Sequence, residues 1–584
     1  MAAIGLGTRV TKMDELPEVL TRLNTRLNDL ENRVALLEHP SEALAALPAS
    51  ASPEIPAIAS PSFSQAGAIF PVLGRAMLGM AGAYALRAVA ESGSFPKLAA
   101  VALAIAYAAA WLVGAARVPA RLRFAGATYA GTSALILAPM LWEMSLRFRF
   151  LSPAAAAGVL AAFVFTAYVL AWKNQLTPIV WAAWLTGAVT AIALSIATRQ
   201  MVPFIAVLLL MALLGEIAAD RNRWISLRPV AAIAADLATA ALICIYASPQ
   251  TSRPDYPAVS TGALLAPAFI LLLIYGANVV LRTTVLRRQI SIPEAAQAVI
   301  AFLLAADAVL HFAPAAGVVA FGVFCLVLSA AGYTALLPRF AEPAERRNYS
   351  VYALWSAALL LLGCCLCLPP LWLAACLGVA AIVATSVGVR VSRLTLVFHG
   401  FLFALAAAFA CGWMQYAAHA LAGAFPTPPL GIAWIIAACT ILVYAIGGQL
   451  RAERWQHRIV HVLSATLAVA SMATVLVSAL VWIVAAVITP GASHVAVVRT
   501  LAACSLALAL AGLGPRWQRV ELVWLAYATL ALVTAKLLFE DLRQGHPEFI
   551  AASIFLYAVT LILVPRLARR ASRPSPSPSP SPET

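Results

Sequence analysis

The sequence predicts an all-α, polytopic transmembrane helix bundle, and three observations predict it. The 584-residue chain is 63% hydrophobic and only 11% charged, with a mean hydropathy of +0.90. A soluble chain carries about a quarter charged residues. From about residue 70 to about residue 566 one apolar run follows another, each of about 20 residues. That length spans the hydrocarbon core as a helix, which satisfies its own backbone where no water can. Arginines cluster at every second break between runs, as they do in the short loops that orient spans. The same placement accounts for the net charge of +15, and it points to the lipid bilayer as partner rather than nucleic acid.

At the N-terminus, residues 1–15 lack the apolar core of a cleavable signal peptide. Leu16, Leu20, Leu23, Leu27, Leu30, Val34 and Leu37 then recur at alternating spacings of four and three, an a/d heptad seam. With Leu20, Leu27 and Val34 at a, Arg26 and Arg33 fall at g and Glu31 and Glu38 at e, where they attract across a parallel dimer. Residues 1–39 are expected to form a cytoplasmic coiled coil through which the chain self-associates; the alternative is a lone amphipathic surface helix. His39-Pro40 ends it, and residues 40–70, rich in Pro, Ala and Ser, read as a linker. Residues 568–584, a Ser-Pro repeat, read as a disordered tail with no means of building a core.

Between them, residues 71–567 form the multi-span domain. About 18 spans are expected: 72–90, 98–116, 124–142, 154–172, 177–197, 201–219, 229–247, 259–281, 293–312, 314–337, 350–368, 369–389, 394–414, 428–449, 459–489, 492–513, 519–539 and 548–566. The run 459–489 is long for one helix and is the place where a tilt or a break is expected. With the N-terminus inside, the inner loops collect the arginines at 117–123, 221–228, 282–288, 339–347, 390–393, 451–458, 516–519 and 566–573, together with Lys173. The outer loops hold Lys97, Arg147, Arg149, Arg199, Arg253 and Arg543. That bias of about four to one predicts an even number of spans in a bacterial inner membrane, with both termini cytoplasmic. Gly74, Gly79, Gly82 and Ala83 in the first span are placed for close approach of a neighbouring helix. No internal repeat is evident.

Neither a phosphate-binding Gly-rich loop, a nucleophile elbow, a HExxH zinc helix nor a dinucleotide-binding turn occurs, and nothing in the sequence calls for a cofactor. The nine cysteines, Cys244, Cys325, Cys364, Cys365, Cys367, Cys376, Cys411, Cys439 and Cys504, lie in or beside apolar runs and read as small buried residues. His457 and His461 have i, i+4 spacing without a third ligand, so no metal site is assigned.

What remains are ionisable residues within spans, which are costly in lipid and therefore candidates for function. Asp236 and Asp307 lie well inside spans, and His311 follows Asp307 by one turn on the same face. That pair has the spacing to pass protons or to fix an imidazole tautomer. Arg75 and Arg87 stand near opposite ends of the first span, about 18 Å apart, and Arg499 and Lys536 lie in later spans. In the expected topology Arg87, Glu91, Glu143, Asp307, His311, Arg499, Lys536, Glu540 and Asp541 share the outer half. They would suit a polar basin open to a lipid headgroup, a sugar or protons.

Three segments carry a resemblance. They are the heptads ending in LENRVALLE, the first-span segment GRAMLGMAGAYALRAVAESGSFP, and AKLLFEDLRQGHPEFIAASIFLYAVTLIL near the end. Together they resemble the bacterial membrane-protein family with domain of unknown function 2339. The resemblance implies a short coiled coil, a Pro/Ala linker and a long helical array closing on a Lys-Leu-Phe-x-x-Asp-like stretch. Lys536, Leu537, Leu538, Phe539, Glu540 and Asp541 answer to that stretch with one extra leucine. The resemblance implies no activity and adds interest to Arg75, Arg87, Lys536 and Asp541.

Three functions fit the sequence. The first is a transporter-like or envelope-lipid-handling protein that works through its intramembrane polar residues. The second is a membrane scaffold oligomerised by its coiled coil. The third is a glycosyltransferase acting on a lipid-linked sugar, for which Glu91 and Glu143 are the acidic candidates.

Overall fold

The computed structural model describes Asn28 and residues 63–92, 96–119, 122–174, 177–224, 228–249, 255–339, 346–423, 431–450, 455–489, 491–541 and 547–569. The heptad seam Leu16, Leu20, Leu23, Leu27, Leu30, Val34 and Leu37 lies outside the described residues, as do most of the linker and the tail beyond Arg569. Among the described residues every regular element is helical.

In chain order the helices are α1 (Phe63–Glu91), α2 (Lys97–Arg117), α3 (Arg123–Trp142), α4 (Pro153–Asn174), α5 (Thr177–Thr198), α6 (Met201–Asp220), α7 (Arg228–Ala247), α8 (Thr261–Thr284), α9 (Ile292–Phe312) and α10 (Ala315–Ala331). They continue as α11 (Arg346–Cys367), α12 (Pro370–Arg390), α13 (Leu394–Ala410), α14 (Trp413–Ala422), α15 (Gly431–Gly447), α16 (Trp455–Ala485), α17 (Ala492–Arg516), α18 (Val520–Lys536) and α19 (Pro547–Arg569). Single π turns extend α3 (Glu143–Arg147), α10 (Gly332–Leu336) and α18 (Leu537–Asp541).

Every expected span coincides with a helix, but not every helix is a full span. Among the described residues fifteen helices are long and apolar enough to cross a membrane, or sixteen if the bent pair α13–α14 is one span. The expected count of about 18 includes two further helices, α1 and α15, that this tally of the described residues leaves out. Helix α1 carries Arg75 and Arg87, and α15 is an apolar helix of 17 residues. The long run near residue 470 is one unbroken helix of 31 residues, about 46 Å long and so well beyond the hydrocarbon thickness.

The expected span 394–414 is in fact broken. Helix α13 stops at Ala410, the chain turns through Gly412 at φ 74°, and α14 leaves at 75°. The terminal carbonyls of α13 do not go unpaired: Cys411 N–H donates to Ala407 O at 3.1 Å and Gly412 N–H to Phe409 O at 3.0 Å.

Helix starts follow local chemistry. Ser291 and Glu294 form a capping box on α9, with Ser291 N–H donating to Glu294 Oε2 at 2.9 Å. Helix α12 begins at Pro370, where a missing N–H costs nothing.

The chain divides into two compact units, Met1–Leu78 and Gly79–Thr584. In the second unit the interior is a series of apolar clusters. One is drawn from α2 to α9 around Leu112, Leu137, Leu160, Trp184, Phe204 and Leu208. Others follow among α11–α16 and α15–α19. Alanine dominates these interiors, which lets helices approach closely without relying on water for the driving force. Gly79 and Gly82 act as expected: a Cβ on the first would run into the Trp111 ring, and one on the second into the Tyr107 hydroxyl. That hydroxyl donates to Gly79 O at 2.9 Å.

Cysteine burial is less uniform than the sequence suggests. Cys325, Cys364, Cys439 and Cys504 are buried, whereas Cys244, Cys365 and Cys376 sit on exposed helix faces. An apolar run has a lipid side as well as an interior side, and cysteine is tolerated on both.

Candidate functional site

The intramembrane and rim charges do not form one basin. In the second unit they are gathered into separate clusters, each built where helix ends meet.

The first cluster borders a cavity of about 200 Å³ between α1, α2 and α3. Met80, Leu86, Ala104, Leu135, Met140 and Met144 supply apolar wall, and Arg87 and Glu143 supply the polar part of the lining. From Arg87 and Glu143 a chain of four alternating charges runs on past the lining. Arg147 pairs with Glu91 at 3.1 Å, Glu91 with Arg87 at 3.3 Å, and Arg87 with Glu143 at 3.0 Å. The π turn carries both Glu143 and Arg147. All four side chains remain partly accessible, and Arg87 and Glu143 face the cavity itself.

The second cluster joins α14, α17 and α18. Arg499, only 6% exposed, donates through Nη1 to Glu540 Oε1 at 2.7 Å and through Nε to Ala420 O at 2.9 Å. Its Nη2 also donates to Gly423 O. A guanidinium therefore closes the carbonyl end of α14, where the helix dipole favours a cation. Beside it Lys536 Nζ donates to Asp541 Oδ1 at 2.5 Å and to Thr500 Oγ1 at 2.7 Å, and Thr500 Oγ1 donates to Asp541 Oδ2 at 3.1 Å. Two cations meet two carboxylates, and the buried charge is balanced.

The third cluster ties together α6, α7, α8 and α9. Arg228 Nε donates to Glu216 Oε1 at 2.5 Å and its Nη1 to Glu294 Oε1 at 2.7 Å. Arg282 also pairs with Glu294 and approaches Asp220 at 3.5 Å, and Asn278 Nδ2 donates to Glu216. Glu216 and Glu294 are buried. Deeper along the same helices, Gln297 Nε2 of α9 donates to Asp236 Oδ2 of α7 at 2.7 Å.

The sequence candidates thus separate. Lys536 and Asp541 come into direct contact, and Arg87 joins Glu143 at the cavity. Asp236 is buried at 8% exposure. Asp307 and His311 pair with each other at 3.2 Å, but both side chains are about half exposed, at 49% and 48%. Arg75 is exposed on α1 within the first unit. His461 Nε2 lies 3.2 Å from Leu450 O. Among the described residues no group of three or more His, Cys, Asp or Glu side chains is placed to hold a metal ion.

Sequence reasoning passed over Glu216, Asp220 and Glu294, and it counted Arg228 and Arg282 only as loop charges. A signal was present: these acids sit at the ends of apolar runs beside which the arginines concentrate. Compared with known protein families, curated proteins and solved structures, the chain matches none.

Proposed function

We propose that this chain is a transporter-like protein of the bacterial inner membrane that handles an envelope lipid, received in the α1–α3 cavity. The observation that carries this reading is the pairing of an apolar cavity with a charged rim. An acyl chain is the ligand such walls favour, and the headgroup is the part that would meet Arg87, Glu143, Glu91 and Arg147. Tyr84 and Leu135, which line the same cavity, are 62% and 60% exposed, as residues facing lipid tails would be.

The arginine bias of the loops supports cytoplasmic termini and, with them, a mouth that faces outward. In this reading the heptads from Leu16 to Leu37 supply self-association, and membership of the family with domain of unknown function 2339 would make Lys536 and Asp541 a shared helix lock rather than the lipid site.

The test is to purify the full chain in mild detergent and identify co-purified lipid by native mass spectrometry. Wild type is expected to retain a lipid, and Ala83→Phe, which fills the cavity, is expected to release it while the unfolding temperature holds. Equal lipid retention in both proteins would refute the reading.

A further inference from the structure

Asp236 is the one buried carboxylate of the α6–α9 region for which the structure describes no cationic partner. We propose that Asp236 is a reversible proton-binding site, with Oδ1 as the atom that gains and loses the proton.

The geometry is specific. Gln297 holds Oδ2 at 2.7 Å, which fixes the carboxyl group in one orientation. Oδ1 is buried and has no hydrogen-bond partner. One turn along the same helix, the fully buried Thr239 Oγ1 is also unpartnered.

The charges nearby cannot neutralise an ionised Asp236. Arg228 lies about 12 Å away along α7 and is already committed to Glu216 and Glu294. Arg282 is committed to Glu294 and Asp220. Arg288 also acts on Asp220, so three arginines already answer to three carboxylates before Asp236 is counted. The groups presented by the neighbouring helices are Glu216 from α6, Tyr275 from α8, and Gln297 and Glu294 from α9. Helix α5 has no ionisable side chain. A fourth negative charge would therefore stand uncompensated in an apolar interior, where a carboxylate takes up a proton instead.

The step is simple in its balance: one proton from the aqueous phase adds to the carboxylate and gives the neutral acid. The same proton leaves when access or pH changes. Tyr275 of α8 lies near both Glu216 and Asp236, and Asn278 of the same helix donates to Glu216. This inference concerns α6–α9 and does not depend on the lipid cavity.

The test uses full-length protein in liposomes and records infrared difference spectra between acidic and alkaline buffer. A protonated-carboxyl band is expected in wild type. It should be lost in Asp236→Asn and displaced in Gln297→Leu, which removes the donor to Oδ2. A band that survives Asp236→Asn, or the lack of any such band in wild type, would overturn the proposal. If Asp236→Asn does not fold, Gln297→Leu decides: an unmoved band refutes the assignment. A band abolished by sodium at constant pH would also overturn it, because the site would then be a metal-cation site.

Discussion

Lys536 and Asp541 are five residues apart and yet meet at 2.5 Å, because the chain between them is a π turn. In an α-helix a residue five positions on points about 140° away. Closing the turn one residue later brings the two onto the same side. Removing Lys536 alone strands an aspartate whose side chain is 3% exposed. Lys536→Met is expected to cost about 3–5 kcal/mol, and the double change Lys536→Met with Asp541→Leu to recover most of that. Thermal unfolding of the three proteins in one detergent measures it; a double variant no better than the single would mean that the pair is not coupled.

Arg228 is the fork that bridges α6 and α9 from α7, with Nε on Glu216 and Nη1 on Glu294. A methionine there leaves buried Glu216 without its cation and Glu294 with Arg282 alone, and a loss of about 3–5 kcal/mol is expected. A lysine keeps the charge but not the two-pronged geometry. Arg228→Lys should therefore fall between Arg228→Met and wild type in unfolding temperature. If lysine matches wild type, the site needs only charge and the fork is incidental.

Asp307 and His311 are expected to matter little to stability. Their pair is local and about half exposed on both sides, a setting in which ion pairs contribute roughly 0–1 kcal/mol. Asp307→Asn should keep its unfolding temperature and should complement a deletion strain at normal membrane abundance. Failure of complementation at that abundance would return the pair to the list of functional groups.

These contrasts show which relationships a sequence carries. Apolar run length located every described helix except α14, because hydrophobic thickness sets it directly. Asp307 and His311 were visible because i, i+4 contacts follow helical periodicity. Arg499 with Glu540, or Arg228 with Glu294, depends on which helices adjoin, and span order alone does not encode that. The Lys536–Asp541 contact was hidden for a different reason, since α-helical periodicity sets those residues on different faces. The bend after Ala410 escaped because hydropathy records length and not direction; the Cys411-Gly412 pair inside an apolar run was its one local sign.

That bend makes Gly412 the cleanest backbone test in the molecule. Its φ of 74° lies in the left-handed region, and the space where a Cβ would stand is empty. Any cost of Gly412→Ala must therefore come from the backbone and not from a clash. About 1–2 kcal/mol is expected, with Gly412→Asn milder because asparagine tolerates this conformation. Arg499 binds the carbonyls at the far end of α14, so a straightened α13–α14 would also pull Ala420 and Gly423 away from it. Gly412→Ala should then lower the unfolding temperature and weaken the coupling of Arg499 to α14, seen as a smaller additional loss from Arg499→Ala in the double variant. If the two losses simply add, the bend and the guanidinium act independently.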